Sequence, residues 1–296
     1  MPELIQNTLQ TAWGWLVIIY LFLAGVGAGA YLTSWWASNR DLGGALPVVG
    51  RYLAAPVVAL GSLLLVFDLG AGSFHARIFY LYTHPFTSMM SLGTWILTIF
   101  LVLSVIDGYG PLVGVRRARW LGDVTALFAG LVAVYTGLLL GVVKAIPFWN
   151  SALVPVLFVL SAASTGIAAT VLGALVVQRS TCGEDDTVTR FHQGIIVSEA
   201  VALALFLFFA ASGPSAAHFS YSRVVVGGLA AAFWVGLVAL GLVVPFAYCA
   251  LRRAPALAHM LRSPGWVAGE AVLVLVGGFF LRYLVVSAGA LGRIMG

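Results

Sequence analysis

Four polar side chains interrupt otherwise apolar stretches of the chain: Tyr20, Asp68, Tyr135 and Arg282. A tyrosine hydroxyl can donate to a carbonyl oxygen, and a carboxylate can accept or release a proton. A guanidinium can hold a carboxylate. Ionisable groups inside apolar spans are costly, which makes them functional candidates by default. Each also has a structural reading. Asp68 and Arg282 can be an ion pair between helices, and the tyrosines can belong to an interfacial aromatic belt.

Two connecting stretches add to this set. Residues 71–86 carry Phe74, His75, Arg77, Phe79, Tyr80, Tyr82 and His84, and residues 144–155 carry Lys144, Pro147, Phe148, Trp149 and Asn150. An aromatic belt accounts for the rings alone, whereas rings mixed with His, Arg, Lys and Asn suit a docking or ligand surface. A second polar set comprises Asp107, Asp123, Glu199 and Glu270. Asp107 and Asp123 read as helix-end residues, Asp123 in a first turn where the helix dipole favours a carboxylate. Glu199 and Glu270 read as lying one turn into their helices, either as first-turn carboxylates or as proton-conducting groups.

Absent patterns exclude other chemistry. The two cysteines, Cys182 and Cys249, form no CxxC, which argues against an Fe–S cluster or a thiolate zinc site held by this chain alone, and no metal ligands are expected. The histidines, His75, His84, His192, His218 and His259, fall in loops or near span ends, so a helix-held pair of haem ligands is not expected. HExxH, GxSxG, P-loop and dinucleotide fingerprints are missing. The only lysine is Lys144, in a loop, which leaves no anchor for retinal.

The elements that must position these residues follow from composition. Of the 296 residues, 61% are hydrophobic and 8% charged, with mean hydropathy +1.05. Soluble domains carry about 25% charged residues, so this surface belongs in lipid. Eight apolar runs have bilayer-crossing length: about Ala12–Ser38, Tyr52–Gly70, Thr87–Asp107, Leu121–Val143, Ala152–Val177, Ile195–Ser212, Val224–Leu251 and Trp266–Gly289. In lipid the backbone must satisfy its own hydrogen bonds, so these are helices. The expected class is an all-α integral membrane protein with eight transmembrane helices, forming a single domain over residues 1–296. Met1–Gln10 lacks Lys and Arg, so the first run reads as a retained helix rather than a signal peptide.

Orientation follows from positive charge. With the N-terminus outside, inner loops hold ten arginines (40, 51, 116, 117, 119, 179, 190, 252, 253 and 262), and the outer side holds four cations (Arg77, Lys144, Arg223 and Arg293). The positive-inside rule then puts both termini outside the cytoplasmic membrane. The net charge of +5 is loop charge of this kind and no nucleic-acid footprint. At 1.5 Å per residue, Tyr20, Asp68, Tyr135 and Arg282 share one depth in the outer half, just below the two unusual loops. Phe22, Gly25 and Gly29 in the first span have the same spacing as Phe158, Ser161 and Thr165 in the fifth. This hints at two four-helix bundles, although small residues four apart also serve close helix packing.

Several of these stretches resemble the NrfD/PsrC-like family, the membrane subunits of polysulfide reductase and its relatives. Trp13-Gly14-Trp15 followed by Tyr20-Leu21-Phe22-Leu23-Ala24-Gly25-Val26-Gly27-Ala28-Gly29 resembles the family's first helix. Phe67-Asp68-Leu69-Gly70 with His75 and Arg77, Ser91-Leu92-Gly93-Thr94-Trp95, Tyr135-Thr136-Gly137 with Pro147-Phe148-Trp149-Asn150, and Leu281-Arg282-Tyr283 with Ser287-Ala288-Gly289 follow in family order.

The resemblance implies a multi-pass subunit of the cytoplasmic (inner) membrane. Such subunits bind quinone, often menaquinone, near the outer face and carry no haem or Fe–S cluster of their own. Electrons pass between the quinone and an Fe–S subunit docked on the outer face, and then a molybdopterin catalytic subunit or a multihaem cytochrome. Tyr135 matches a fourth-helix tyrosine suited to a quinone carbonyl. Tyr20 stands where polysulfide reductase carries a histidine facing the quinone. Asp68 and His75 fit proton transfer, and Arg282, Trp149 and Asn150 fit the binding region. Two alternatives are a passive membrane anchor and a secondary transporter. Transporters often break helices near the midplane, whereas Pro56, Pro155 and Pro245 read as lying near span ends.

Overall fold

A computed structural model describes residues 9–10, 13–68, 82–83, 88–114, 116–178, 186–254 and 260–291. Eight helices are long and apolar enough to cross a membrane. They are α1 (Trp15–Asn39), α2 (Leu46–Asp68), α3 (Met89–Tyr109), α4 (Arg119–Gly141), α5 (Leu153–Gln178), α6 (Asp186–Ala211), α8 (Ala232–Leu251) and α9 (Pro264–Ala288). The short α7 (Ser215–Val225) lies between α6 and α8. No strand occurs among the described residues. Large apolar side chains such as Leu60, Val102, Leu127, Phe208 and Trp234 are exposed, as a lipid-facing surface requires.

The expected pair of four-helix bundles is present. In the first, α1 packs on α2 and α4, and α3 bridges α2 and α4. In the second, α5 packs on α6 and α9, with α8 against α9 and, at its end, α6. The bundles join where α1 crosses α5. A Cβ on Gly29 would overlap the Ala162 carbonyl, and one on Gly166 would overlap the Gly29 backbone. Only glycine allows this approach, the small-residue packing by which membrane helices associate. The apposition of Gly241 and Gly277 does the same between α8 and α9.

The first and last described segments meet on one face, the terminal face. The Gln10 N–H donates to the Gly289 carbonyl at 3.0 Å, and Leu9 pairs with Ala290. Here the last turn of α9 has carbonyls without helical donors. Trp149 Nε1–H donates to Val285 O at 2.6 Å and Gln10 Nε2 to Val286 O at 3.2 Å.

Several helices begin earlier than the apolar runs suggest. α2 starts at Leu46, so Arg51 lies inside it and is buried, rather than in the loop where the apolar runs put it. α6 starts at Asp186 rather than Ile195, which places His192 within the span. A polar first turn hides the start of α6 from a hydropathy reading, whereas in α2 it is Arg51 that interrupts an apolar start. Pro56 lies in the interior of α2, contrary to the expectation of prolines near span ends. α2 nevertheless runs through it, so no pair of half-helix termini forms there. In α8 the stretch Ala232–Val243 is a wide π-helix that gives way to an α-helix at Val244–Leu251. Pro245, which has no N–H to donate, stands at that change.

Candidate functional site

The first polar group toward the terminal face lies in the first bundle. Tyr20 is five residues into α1 and Tyr135 six residues before the end of α4, so each is about 8–9 Å below the helix end. Both are buried. They approach one another closely enough for mutual electrostatic influence, yet the Tyr20 hydroxyl has no hydrogen-bond partner. A buried unpaired hydroxyl costs about 1–3 kcal/mol. Gly93 of α3 makes room for the pair, since a Cβ there would overlap the Tyr135 ring and hydroxyl.

The second group lies between the bundles. Arg282 of α9 is fully buried. Its Nη1 donates to Ser161 Oγ at 2.6 Å and to the Gly278 carbonyl at 2.8 Å. Its Nε and Nη2 have no hydrogen-bond partner. The guanidinium carbon stands 5.3 Å from the Phe158 ring centre and 6.0 Å from that of Phe22, within the range of cation–π attraction. A Cβ on Gly25 would come within 2.7 Å of Nη2. The two similarly spaced triplets seen in the sequence thus supply, through Phe22, Gly25, Phe158 and Ser161, four neighbours of one arginine.

The buried carboxylate whose charge bears on Arg282 is Glu199 rather than Asp68, although no direct ion pair joins the two. Glu199 is buried, and its charge and that of Arg282 act on each other beside the Ser161 hydroxyl. Because α6 begins at Asp186, Glu199 sits near mid-helix rather than one turn from the end. Asp68 is exposed at the last residue of α2, and no cation pairs with it among the described residues. The expected Asp68–Arg282 ion pair is therefore not formed. His75 lies outside the described residues.

Trp149 is buried with its ring centre 5.1 Å from that of Trp13. Its hydrogen bond to Val285 makes it a lock on α9. Asn150 is exposed beside it. The structure thus joins Tyr20 with Tyr135, places Arg282 in a separate setting, and leaves Asp68 and Asn150 at the surface.

Toward the opposite face, Asp107 is far from a simple helix-end residue. It is buried, accepts a 2.7 Å hydrogen bond from Tyr31, and pairs with Arg51 at 3.5 Å and Arg117 at 3.6 Å. Asp123 accepts from Trp35 Nε1–H at 2.9 Å. A polar cleft of about 200 Å³ opens beside them. Sequence reasoning misses this cluster because hydropathy assigns Arg51 to a loop. It also misses Gly93, whose only signal is its place inside Ser91-Leu92-Gly93-Thr94-Trp95.

Comparison with known proteins agrees with this architecture. The family model described as polysulphide reductase, NrfD matches residues 3–292. The C subunit of polysulfide reductase from Wolinella succinogenes is 31% identical over 314 residues, covering 96% of each protein. Protein NrfD of Escherichia coli K12 is 28% identical over 319 residues, covering 94% of this protein and 95% of its own length. A NrfD homologue of Haemophilus influenzae is 24% identical over 316 residues, covering 96% of each. With a matching family model over nearly its whole length and a relative above 30% identity, this eight-helix protein belongs to the polysulphide reductase NrfD family of membrane subunits.

Proposed function

We propose that this protein is the quinone-binding membrane subunit of a respiratory oxidoreductase complex in the cytoplasmic membrane. In this reading it exchanges electrons between a quinol, with menaquinol the favoured type, and an Fe–S subunit docked on the terminal face. That subunit would pass them to a molybdopterin enzyme or a multihaem cytochrome. The names of the relatives, a polysulfide reductase subunit and NrfD, support the complex. The observation that carries the ligand reading is the Tyr20 hydroxyl, buried facing Tyr135 without a partner in good hydrogen-bond geometry.

The residues present fit a quinone headgroup. Two phenols side by side offer hydrogen bonds to one ring oxygen, and Gly93 fixes where the Tyr135 ring lies, since a Cβ there would overlap it. A quinol bound there supplies two electrons and two protons. Tyr135 and Tyr20 orient the ring oxygen and keep water from it. Asp68 is the last residue of α2. Its exposure at the terminal face suits a proton acceptor open to solvent, with His75 as the further candidate. Arg282 is proposed to act through the packing of α1, α5 and α9 around it.

The test is quinol-dependent reduction of the purified complex, comparing the native protein with Tyr135→Phe and Asp68→Asn. Slower reduction with assembly intact upholds the reading. Unchanged reduction in both, or no bound quinone, leaves the protein a passive anchor.

A further inference from the structure

Three buried side chains outside the proposed quinone region converge from three helices. His192 of α6, Cys249 of α8 and Glu270 of α9 each point one donor atom into a common space, and these atoms all lie within 4.8 Å of one another. His192 Nδ1 is 3.4 Å from Glu270 Oε1. Glu270 Oε1 has no hydrogen-bond partner, although only 9% of its side chain is exposed. The other imidazole nitrogen, Nε2, is 3.2 Å from Ser164 Oγ.

This arrangement has the marks of a metal centre. Thiolate, imidazole and carboxylate are the donors of tetrahedral zinc, at about 2.3 Å for sulfur and about 2.0–2.2 Å for nitrogen and oxygen. Tetrahedral ligand atoms at those bond lengths lie about 3.3–3.8 Å apart, so a small inward adjustment closes the set. Metal-bound histidines usually fix their other nitrogen with a hydrogen bond, the place Ser164 takes. A cleft of about 30 Å³ adjoins the three residues, room for the water that a fourth position needs. A thiolate and a carboxylate together balance a divalent ion. Arg252, which lines the same cleft and donates to Thr189 Oγ1 at 3.4 Å, adds opposing charge, so both anionic ligands are needed.

We infer that His192, Cys249 and Glu270 form a binding site for one divalent transition ion of the zinc class, bracing α6, α8 and α9 near the face opposite the termini. The two cysteines gave no hint of it because the set is mixed: one Cys, one His and one Glu, spread over 79 residues (192 to 270).

The experiment is zinc determination and zinc-edge X-ray absorption on the purified complex after equilibration with Zn²⁺ and removal of the excess. The expected result is one zinc per copy of this subunit with a sulfur neighbour at about 2.3 Å. Cys249→Ser should remove the sulfur signal, and Glu270→Gln should lower zinc occupancy at least tenfold at limiting Zn²⁺. If these variants fail to assemble, the spectrum of the native complex decides alone. No zinc retained, or zinc with only nitrogen and oxygen neighbours, overturns the inference and leaves His192 and Glu270 as a buried polar pair 3.4 Å apart. Quinol-dependent reduction is read separately, so the proposed function stands or falls on its own.

Discussion

Gly93 lies so close beneath Tyr135 that a single added methyl group would overlap the tyrosine ring and its hydroxyl. The position of a candidate ligand-binding phenol on α4 is thus set by a missing side chain on α3. Gly93→Ala should push the ring aside and slow quinol-dependent reduction, up to about 100-fold for a displacement near 1 Å. Overpacking should also cost about 1–3 kcal/mol. Steady-state turnover and thermal unfolding of the same preparation check both.

Tyr20 permits a test that separates packing from ligand binding. Its hydroxyl has no partner, so Tyr20→Phe removes a buried unsatisfied group. Thermal stability of the ligand-free complex should hold or rise by about 1 kcal/mol. Quinol turnover should fall about 3- to 12-fold, the worth of one ordinary hydrogen bond. A variant that loses stability and keeps full turnover would sink the ligand role.

Arg282 and Glu199 are expected to behave as a unit. Arg282→Met removes the charge that acts on buried Glu199 together with the hydrogen bonds to Ser161 and the Gly278 carbonyl, and should cost about 1–3 kcal/mol. Replacing both, as Arg282→Met with Glu199→Leu, should recover much of that loss. A double-mutant cycle on detergent-solubilised complex gives the coupling directly. Additive losses would show that the two do not interact.

Asp107 holds two arginines and a tyrosine. Asp107→Asn should destabilise by about 3–5 kcal/mol, because Arg51 is buried and keeps its charge. Adding Arg51→Met should recover part of the loss. Quinol turnover measured below the unfolding range should change little, since this cluster lies at the far end of α1 from Tyr20.

Much of this architecture was legible in the amino-acid sequence, because a bilayer imposes length and apolarity on every span. All eight spans and the depth of Tyr20, Tyr135 and Arg282 could be read that way. Helix starts could not, since α6 begins with a polar turn and Arg51 breaks the apolar run early in α2, so both beginnings read as loops. These late readings leave Arg51 and His192 outside their helices and make Glu199 look shallow, which conceals three buried clusters. Depth alone also cannot tell which way a side chain faces. Asp68 and Arg282 read as one level, yet Asp68 ends α2 at the surface while Arg282 lies six residues inside α9, and the carboxylate whose charge reaches Arg282 is Glu199, from a helix not counted in that level. The Phe22–Gly25 and Phe158–Ser161 spacings were visible, but their convergence on Arg282 depends on how α1 crosses α5.

The Trp149–Val285 hydrogen bond bears on the order in which the protein is made. Its two residues are 136 apart in sequence, a gap of roughly 7–27 s at ribosomal speeds of about 5–20 residues per second. The first bundle is complete before its junction with the second can be fastened. The connector between them waits, indole unsatisfied, until the last helix has entered the bilayer. Assembly therefore finishes at the face where the two termini also join. A partner subunit that docks across this junction would recognise only finished molecules.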